Sequence, residues 1–345
     1  MYGSGSSNSV AKVATVAPFQ HIGRDFPVLK RGPDHQGTGG EGEMTTGFDG
    51  RVAIVTGAGG GLGREHALAL ARRGARVVVT ALGGARAGSA GPATPAEAAV
   101  AESEAAGGEA MASAASVTDF AAVQEMVAAA MSRWGRVDIL VNNAGVLRDK
   151  TFAKMELEDF RFVVDVHLMG AVNCTKAVWD HMREANYGRV VMTTSSSGLY
   201  GNFGQSNYGA AKMALVGLMQ TLSIEGAKHD IRVNCLAPTA HTRMTEDLGA
   251  RLPLEMLEPA LVTPGLLHLV GDDAPSRCIL AAGAGGFERA YVTLTQGVRI
   301  VGEDAPEQVA ARFDEISDRT GEIVPEMGAA QGFIELAKAQ KAQES

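Results

Sequence analysis

A tyrosine and a lysine stand four positions apart near the middle of the chain, in the stretch YGNFGQSNYGAAK that ends at Lys212. On a helix, residues i and i+4 share a face with their Cβ atoms about 6 Å apart, so the Tyr208 phenol and the Lys212 ammonium can act on one small molecule. A phenol with an ordinary pKa near 10 is a poor base at neutral pH, and a neighbouring cation favours the phenolate. The pair therefore suggests proton transfer. The alternative is a half-buried aromatic residue beside a solvated surface lysine.

A glycine-rich turn follows the first strong strand signal of the chain. In TGAGGGLG, the residues Gly57, Gly61 and Gly63 stand between the apolar run RVAIVTG and the helically spaced REHALALARRG. Glycines permit a tight turn and a close backbone approach to a ligand, and the N-terminus of the following helix favours a pyrophosphate. The strand–turn–helix context predicts a dinucleotide-binding site that includes Leu62, and a plain βα turn is the alternative.

The elements that must position these residues form a regular alternation. Short apolar, β-branched runs alternate with helically spaced segments, which predicts one α/β domain over residues 48–300. We expect a single doubly wound Rossmann-type parallel sheet with helices on both faces. Long helices are predicted at 157–186 and 206–228, and SRCILAAGAGG is predicted to be the last strand.

The segments around this alternation are less regular. Residues 1–47 contain GSGSSNS and RGPDHQGTGGEGE, without any period, and are predicted to be a flexible extension. Residues 301–345 are predicted to be a polar, partly helical tail. Residues 239–262 have scattered prolines and methionines, which is typical of a flap over a pocket. The apolar residues at helical spacing in this flap are Met244, Leu248, Leu252 and Met256. They are expected either to line a fatty or steroidal pocket or to pack on the core.

Composition excludes several classes of partner. A net charge of −8 provides no basic footprint for nucleic acid or for an anionic membrane. No segment reaches the roughly 18 uninterrupted apolar residues of a membrane span. Cys174, Cys235 and Cys278 are far apart and odd in number, so neither a disulfide framework nor a metal site is predicted. Buried reduced thiols in a cytoplasmic protein are expected instead.

The motifs together resemble the short-chain dehydrogenase/reductase family. The glycine turn has the spacing T-G-x-x-x-G-x-G, and it is followed by NNAG at Asn142–Gly145, by Ser195, and by the Tyr208-x-x-x-Lys212 pair. The resemblance implies an NAD(P)-dependent oxidoreductase that interconverts a secondary alcohol and a ketone. It implies that Tyr208 is the acid/base, that Lys212 lowers the tyrosine pKa and holds the nicotinamide ribose, and that Ser195 hydrogen-bonds the reacting oxygen. Further cofactor-binding residues that it implies are Asn143, Ala144, Gly145 and Pro238.

One helical position departs from the common family pattern. Many members have an asparagine in a V-N-x-x-G setting, and its backbone carbonyl anchors a water in a proton relay. This chain reads VHLMG, with His167 in that place. A relay or positioning role for His167 and a satisfied core or surface histidine are both open. Because a backbone carbonyl does the anchoring, the change of side chain need not abolish activity.

Several stretches narrow the resemblance further. DVHLMGAV, WDHMREANYGRVVM and NNAGVLRDKTF are similar to the (3R)-hydroxyacyl-CoA dehydrogenase domains of type 2 peroxisomal multifunctional enzymes. This likeness implies a 3-hydroxyacyl-CoA substrate, with a hydroxysteroid dehydrogenase or a general carbonyl reductase as the alternative. A non-catalytic dinucleotide sensor or scaffold is a remote alternative, since Ser195, Tyr208 and Lys212 are all present. Related enzymes pair subunits through two long helices, so a homodimer or homotetramer is expected.

The end of the second strand bears on the choice of cofactor. NAD-selective members have an aspartate there, which accepts hydrogen bonds from the adenine ribose and repels a 2′-phosphate. This chain reads VTALGG, with Ala81 in that position, so both the attraction and the repulsion are lost. Thr80 or Arg86 remain as possible contacts of a 2′-phosphate. NAD is the expected cofactor, with NADP left possible.

Overall fold

One sheet of eight strands organises the residues that this computed structural model describes, which are 47–82, 94–242 and 256–344. The strands are β1 (Val52–Val55), β2 (Arg76–Thr80), β3 (Glu109–Ser113), β4 (Ile139–Asn142), β5 (Gly188–Thr193), β6 (Ile231–Thr239), β7 (Ile279–Gly283) and β8 (Gly286–Ala290). Their spatial order is β3-β2-β1-β4-β5-β6-β7-β8. The pairs from β3 through β7 are parallel, and β8 pairs with β7 in the antiparallel sense.

Helices connect the strands and continue into the tail. They are α1 (Gly61–Ala71), α2 (Pro95–Ala105), α3 (Phe120–Trp134), α4 (Leu157–Val164), α5 (Gly170–Ala185), α6 (Ser196–Tyr200), α7 (Ser206–Gly226), α8 (Thr263–Val270), α9 (Ala305–Ala311), α10 (Phe313–Ile316) and α11 (Ala329–Glu344). Short 3-10 turns lie at Phe152–Lys154, Ala227–His229 and Pro259–Leu261. The predicted Rossmann-type sheet is confirmed. Helices α9, α10 and α11 lie in the segment 301–345.

The sheet is buried on both faces because side chains alternate along each strand. In β1, Ala53 and Val55 face a cluster that contains residues of α1, α2 and α8. Val52 and Ile54 face the opposite cluster, which contains residues of α3, α5 and α7. All four side chains of this strand are fully buried. This two-sided burial explains why the strands are continuous apolar runs.

The long helix predicted at 157–186 is interrupted. Helix α4 passes into a π-helical segment at Asp165–Met169 before α5 begins, and the Gly170 N–H donates to the Asp165 carbonyl five residues earlier. A π-helical turn holds one more residue than an α-helical turn. The apolar period of VVDVHLMG does not distinguish the two turns, so the sequence pattern predicted an unbroken helix.

The predicted last strand has an antiparallel partner that the sequence did not indicate. Strands β7 and β8 form a hairpin whose two-residue turn, Ala284 and Gly285, has φ of 50° and 79°. Hairpin turns of this kind usually carry Asn-Gly or Asp-Gly, because both residues need positive φ. Alanine at the first position gave no such signal. The sheet is therefore parallel except at this edge.

Some predicted features lie outside the described residues. These are nearly all of the 1–47 extension, the loop residue Arg86, and the flap residues Met244, Leu248 and Leu252. Met256 of the flap is described and is exposed. Within 47–82, 94–242 and 256–344, no helix is long and apolar enough to span a membrane.

A buried histidine joins α1 to α8. His66 is fully buried, and its Nδ1 lies 3.0 Å from Thr263 Oγ1. Its Nε2 has no hydrogen-bond partner among the described residues. Burial lowers the pKa of His66 from 6.5 to about 3. The ring is therefore neutral in the folded protein near neutral pH.

This burial predicts a loss of stability in acid. The folded pKa of His66 lies below the unfolded value, so the stability contributed by the neutral ring is present above pH 6.5 and lost as the pH falls towards 3. As the pH falls through this range, protonation of His66 should reduce the free energy of unfolding by up to about 1.4 kcal/mol per pH unit. In the His66→Gln variant, the free energy of unfolding measured with urea should depend less steeply on pH between about pH 4 and 7. Equal slopes for the variant and the parent protein would contradict this expectation.

Candidate active site

Three predicted site residues meet at the carboxyl end of β5. Ser195 follows this strand and is nearly buried, in an extended conformation that caps the N-terminus of α6. Its hydroxyl accepts a hydrogen bond from the Ser197 N–H at 3.2 Å and also hydrogen-bonds the Tyr208 phenol. Tyr208 and Lys212 project from the first turns of α7. The helical spacing thus brings the phenol and the ammonium to one side, next to the serine.

The Lys212 ammonium is held inside the protein. Its side chain is 3% exposed, and Nζ donates to the Thr193 carbonyl at 2.5 Å. The same nitrogen lies 5.5 Å from the centroid of the Tyr208 ring. Burial lowers the pKa of Lys212 from 10.5 to about 7, with a small opposing effect from Cys235. The lysine is therefore positioned beside the phenol, and it loses much of its preference for the charged form.

The Tyr208 phenol has opposing influences on its acidity. Burial raises the pKa of Tyr208 above 10, the hydrogen bond from Ser195 lowers it, and the Asp149 carboxylate raises it. Within the polypeptide, the net direction is upward. The expected lowering by Lys212 is not among these causes. A useful phenolate at neutral pH thus requires positive charge beyond that of the side chains, such as that of an oxidised nicotinamide.

Small residues around the pair allow α6 to pack against α7. A Cβ on Gly198 would lie 2.8 Å from Lys212 Cβ, and a Cβ on Gly209 would lie 3.0 Å from the Ser197 carbonyl oxygen. The Thr194 hydroxyl donates to the Lys212 carbonyl at 2.7 Å and fastens the end of β5 to the same helix. These small residues therefore set how closely α6 approaches α7.

The glycine turn has the geometry of an anion cradle. Gly57 and Gly61 have φ of 64° and 52°. A Cβ on Gly57 would lie 2.8 Å from Ala144 Cα, so the turn and the NNAG segment are in backbone contact. The N-terminus of α1 has no side-chain cap. Its first N–H groups are therefore available to an anionic ligand.

A single hydroxyl connects this turn to the NNAG segment. Thr56 Oγ1 accepts hydrogen bonds from the N–H groups of Asn143 at 2.9 Å and Ala144 at 3.0 Å. It also donates to the Val141 carbonyl at 3.3 Å. The Asn143 side chain donates to the carbonyls of Thr56 and Gly57 at 2.9 and 3.3 Å. The Asn143 side chain thus holds the turn through these two hydrogen bonds. It occupies space that a side chain at residue 63 would need, because a Cβ on Gly63 would lie 2.5 Å from Asn143 Nδ2.

The other predicted cofactor-binding residues are distributed around the turn. Ala81 follows β2, and a Cβ on Gly59 would lie 2.7 Å from the Ala81 Cβ. Leu62 packs against the core on the α1 side of the sheet. Pro238 lies near the carboxyl end of β6 and pairs with Ala282. The structure therefore brings Ala81 to the turn itself.

His167 also joins the site. It is buried, and its ring makes an edge contact with the Tyr208 ring, with centroids 5.2 Å apart and planes at 86°. It lines one small cavity together with Thr56, Asn142, Ala144 and Lys212. The residue that stands in place of the family's relay asparagine thus lies beside the acid/base candidate.

Sequence reasoning missed the polar residues that support the site. Asn207 is fully buried, accepts from the Tyr208 N–H at 2.7 Å and donates to the Arg148 carbonyl at 2.9 Å. Gln205 accepts from the Ser197 hydroxyl at 2.8 Å and donates to Asp149 at 2.6 Å. Their only local signal is adjacency to Tyr208 in GQSNYG. Thr56 was part of the quoted glycine motif, but only its glycines were singled out.

This arrangement combines a proton donor or acceptor, a hydroxyl that can bind an oxygen, and an adjacent cradle for a dinucleotide. Such a combination suits hydride transfer to or from a carbon that bears oxygen. Comparisons with known proteins agree with this chemistry. The sequence matches the family model described as short chain dehydrogenase over residues 51–252.

Individual relatives give the same result. A short-chain type dehydrogenase/reductase of Mycobacterium tuberculosis is 46% identical over 276 residues, covering 80% of this chain and 96% of that protein. The peroxisomal multifunctional enzyme type 2 of Drosophila melanogaster is 50% identical over 222 residues, covering 64% of this chain and 37% of that enzyme. The chain therefore spans less than two fifths of the length of this multifunctional relative.

Solved structures share the fold. The full-length Drosophila multifunctional enzyme superposes with a TM-score of 0.70 at 37% identity, covering 86% of this chain and 50% of that chain. A 7α-hydroxysteroid dehydrogenase complexed with NADH superposes with a TM-score of 0.61 at 30% identity, covering 70% of this chain and 95% of that chain. With its glycine turn, its NNAG segment and its Ser-Tyr-Lys cluster in place, the chain belongs to the short-chain dehydrogenase/reductase family and is an NAD(P)-dependent oxidoreductase that acts on CH–OH groups.

Proposed function

We propose that this protein interconverts a 3-hydroxyacyl-CoA and the corresponding 3-ketoacyl-CoA, with Tyr208 as the acid/base. The observation that carries the proposal is the cluster of Tyr208 with Ser195, which lowers the pKa of the phenol, and with Lys212, whose Nζ lies 5.5 Å from the centroid of the tyrosine ring. Lys212 also lines a small cavity with Asn142 and Ala144 of the NNAG segment. In alcohol oxidation, the Tyr208 phenolate takes the hydroxyl proton of the substrate. In ketone reduction, the phenol returns it. Ser195 hydrogen-bonds the reacting oxygen in both directions.

The residues around the glycine turn fit a nicotinamide dinucleotide. Positive φ at Gly57 and Gly61 and the uncapped N-terminus of α1 suit the pyrophosphate. Lys212 would hold the nicotinamide ribose, and Ala144, Gly145 and Pro238 would contact the nicotinamide end. When bound, this group supplies the hydride chemistry. We expect NAD rather than NADP to be preferred.

The choice between NAD and NADP can be tested at Ala81. The contact of this position with the glycine turn supports its placement beside the adenine ribose. Ala81→Asp adds a ribose acceptor and a charge that opposes a 2′-phosphate, so the ratio of kcat/KM for NAD over NADP should rise about tenfold or more. Ala81→Asn is the matched control, because it adds a similar shape without charge. An unchanged ratio in Ala81→Asp would show that this residue does not face the ribose.

Two comparisons support different substrate classes. The multifunctional enzymes and a 3-oxoacyl-[acyl-carrier-protein] reductase of Synechocystis, which is 41% identical over 213 residues, favour an acyl thioester. The 7α-hydroxysteroid dehydrogenase structure favours a steroid as the second candidate. The greater identity of the multifunctional relatives makes the acyl thioester the leading substrate.

Kinetics separate these candidates. The purified full chain should be assayed with a (3R)-3-hydroxyacyl-CoA, its (3S) epimer and a hydroxysteroid, each with NAD and with NADP. We expect the (3R) thioester with NAD to give the highest kcat/KM, about tenfold or more above the others. A higher kcat/KM for the steroid would transfer the proposal to the second candidate, and the absence of turnover with any of them would overturn it.

The proposal extends to assembly and location. Exposed apolar side chains lie along α4, the π-helical segment and α7, and these are Leu157, Phe162, Met169, Met213 and Ile224. A homodimer or homotetramer that pairs these helices would cover them. Cys174, Cys235 and Cys278 are free and buried, which suits a reducing cytoplasm.

A further inference from the structure

The His167 imidazole fills the space between the NNAG segment and the tyrosine ring. Its Nε2 lies 2.8 Å from the Val146 carbonyl oxygen and 3.1 Å from the Val146 nitrogen. The Val146 N–H donates to Nε2 when Nε2 is unprotonated, and the Val146 carbonyl accepts from Nε2 when Nε2 is protonated, so the neutral ring has a hydrogen bond to the Val146 backbone in either tautomer. The imidazole also contacts the Tyr208 ring, in the perpendicular arrangement described above. One ring therefore touches both sides of the site.

Gly145 is shaped to receive this ring. A Cβ at residue 145 would lie 2.4 Å from His167 Cε1, 3.1 Å from Nδ1 and 3.3 Å from Nε2. The atoms that would clash belong to a rigid, buried ring, so a side-chain rotation cannot relieve the contact easily. The glycine and the histidine thus form a complementary pair, which places the backbone of the NNAG segment against the imidazole.

The backbone that carries His167 is specialised as well. The residue lies in the middle of the π-helical segment Asp165–Met169. The extra residue of this wide turn offsets α5 from α4, and such turns occur frequently at functional sites. A break in two otherwise regular helices at the residue that touches Tyr208 links this backbone feature to the site.

The protonation of His167 argues against an acid/base role. Burial and the Lys212 charge together lower its pKa from 6.5 to about 3, although the hydrogen bond with Val146 raises it. The ring is therefore neutral under ordinary conditions. Its Nδ1 has no hydrogen-bond partner among the described residues. A neutral, buried ring with one firm hydrogen bond is suited to holding geometry.

We propose that the His167 side chain is a positioning residue, which fixes the Gly145–Val146 backbone and the Tyr208 ring at a set separation. This inference rests on the proposed dehydrogenase reaction. It assigns the side chain a task distinct from a relay through the backbone carbonyl. Loss of the ring would let the phenol and the nicotinamide side of the site move relative to each other. Turnover should suffer more than cofactor binding, because His167 does not touch the pyrophosphate turn.

Substitutions at two buried histidines provide the first test. With a (3R)-3-hydroxyacyl-CoA and NAD, His167→Ala should lower kcat about tenfold or more and change KM for NAD by less than about threefold. His167→Gln retains an amide that can hydrogen-bond the Val146 backbone and should recover about threefold or more of the lost kcat. His66→Gln is the matched control, because His66 is equally buried and distant from Tyr208 in sequence and contacts. It should lose stability and keep kcat within about twofold. A kcat for His167→Ala within about twofold of the parent would overturn the proposal.

A second test does not depend on turnover. Gly145→Ala should lower the urea midpoint of the parent protein, because the new methyl group meets the imidazole. In the His167→Ala background, the same substitution should lower the midpoint by less than half as much. Equal losses in both backgrounds would overturn the claim that His167 sets the Gly145 backbone. If the parent protein turns over none of the substrates, the proposed function fails and this cycle still decides the contact.

Discussion

Replacing Tyr208 by phenylalanine is expected to lower kcat for alcohol oxidation by a factor on the order of 100 or more. The change removes the hydroxyl that Ser195 hydrogen-bonds, and it keeps the ring that contacts His167. A hundredfold loss corresponds to about 2.7 kcal/mol of transition-state stabilisation. NAD binding should remain, because the phenol is not part of the glycine turn.

The pH dependence of turnover in the parent enzyme is a second test of the acid/base role of Tyr208. Burial raises the pKa of Tyr208, so alcohol oxidation should accelerate as the pH rises and the phenolate forms. Ketone reduction needs the protonated phenol and should show the opposite trend. Both trends should disappear in Tyr208→Phe.

Steady-state kinetics and a titration with NAD provide the measurements. Tyr291→Phe is a suitable control, because this tyrosine is 54% exposed and stacks with Arg289 away from Ser195 and Lys212. It should keep kcat within about twofold. Near-normal turnover in Tyr208→Phe would remove the acid/base assignment.

The second large effect concerns stability. Arg189, at the start of β5, has a side chain that is 1% exposed. Its guanidinium donates to the carbonyls of Gly188, Asp230, Gly271 and Asp272 and to the Asp230 carboxylate. Tyr187 stacks on it at 4.1 Å. The N–H groups of this buried guanidinium therefore all have hydrogen-bond acceptors.

Arg189→Met should lower the free energy of unfolding by about 3–5 kcal/mol, because it removes all five hydrogen bonds of the buried guanidinium. Arg183→Met is the matched control. Arg183 pairs with Asp180 at 3.1 Å on an exposed helix surface, where a pair contributes about 1 kcal/mol or less. Urea unfolding measures both variants. Similar midpoints for the two variants would show that the buried hydrogen bonds contribute little.

Sequence patterns predicted the parts of the fold that depend on local periodicity. The apolar runs correctly indicated the parallel strands, and the i, i+4 spacing correctly brought Tyr208 and Lys212 to one side of α7. The β7–β8 hairpin escaped prediction because its turn places alanine at positive φ. The π-helical turn escaped because one extra backbone residue leaves the apolar period nearly unchanged.

The supporting contacts of the site depended on tertiary structure. Thr56, Asn207 and Gln205 act through hydrogen bonds to residues that are remote in sequence or to backbone groups, and no spacing rule predicts such partners. The direction of the Tyr208 pKa also required the structure, since burial outweighs the favourable effect of Ser195. Sequence motifs therefore indicated the candidate residues, and packing determined their environment.

The threonine hydroxyl at residue 56 has a mechanical consequence. It uses both its lone pairs and its proton on backbone groups of the neighbouring strand and loop. The glycine turn and the NNAG segment are consequently held together by these hydrogen bonds, so neither segment can shift without breaking them. The crevice between these two segments is therefore preorganised, and a ligand that binds there loses little binding energy to rearrangement of the protein.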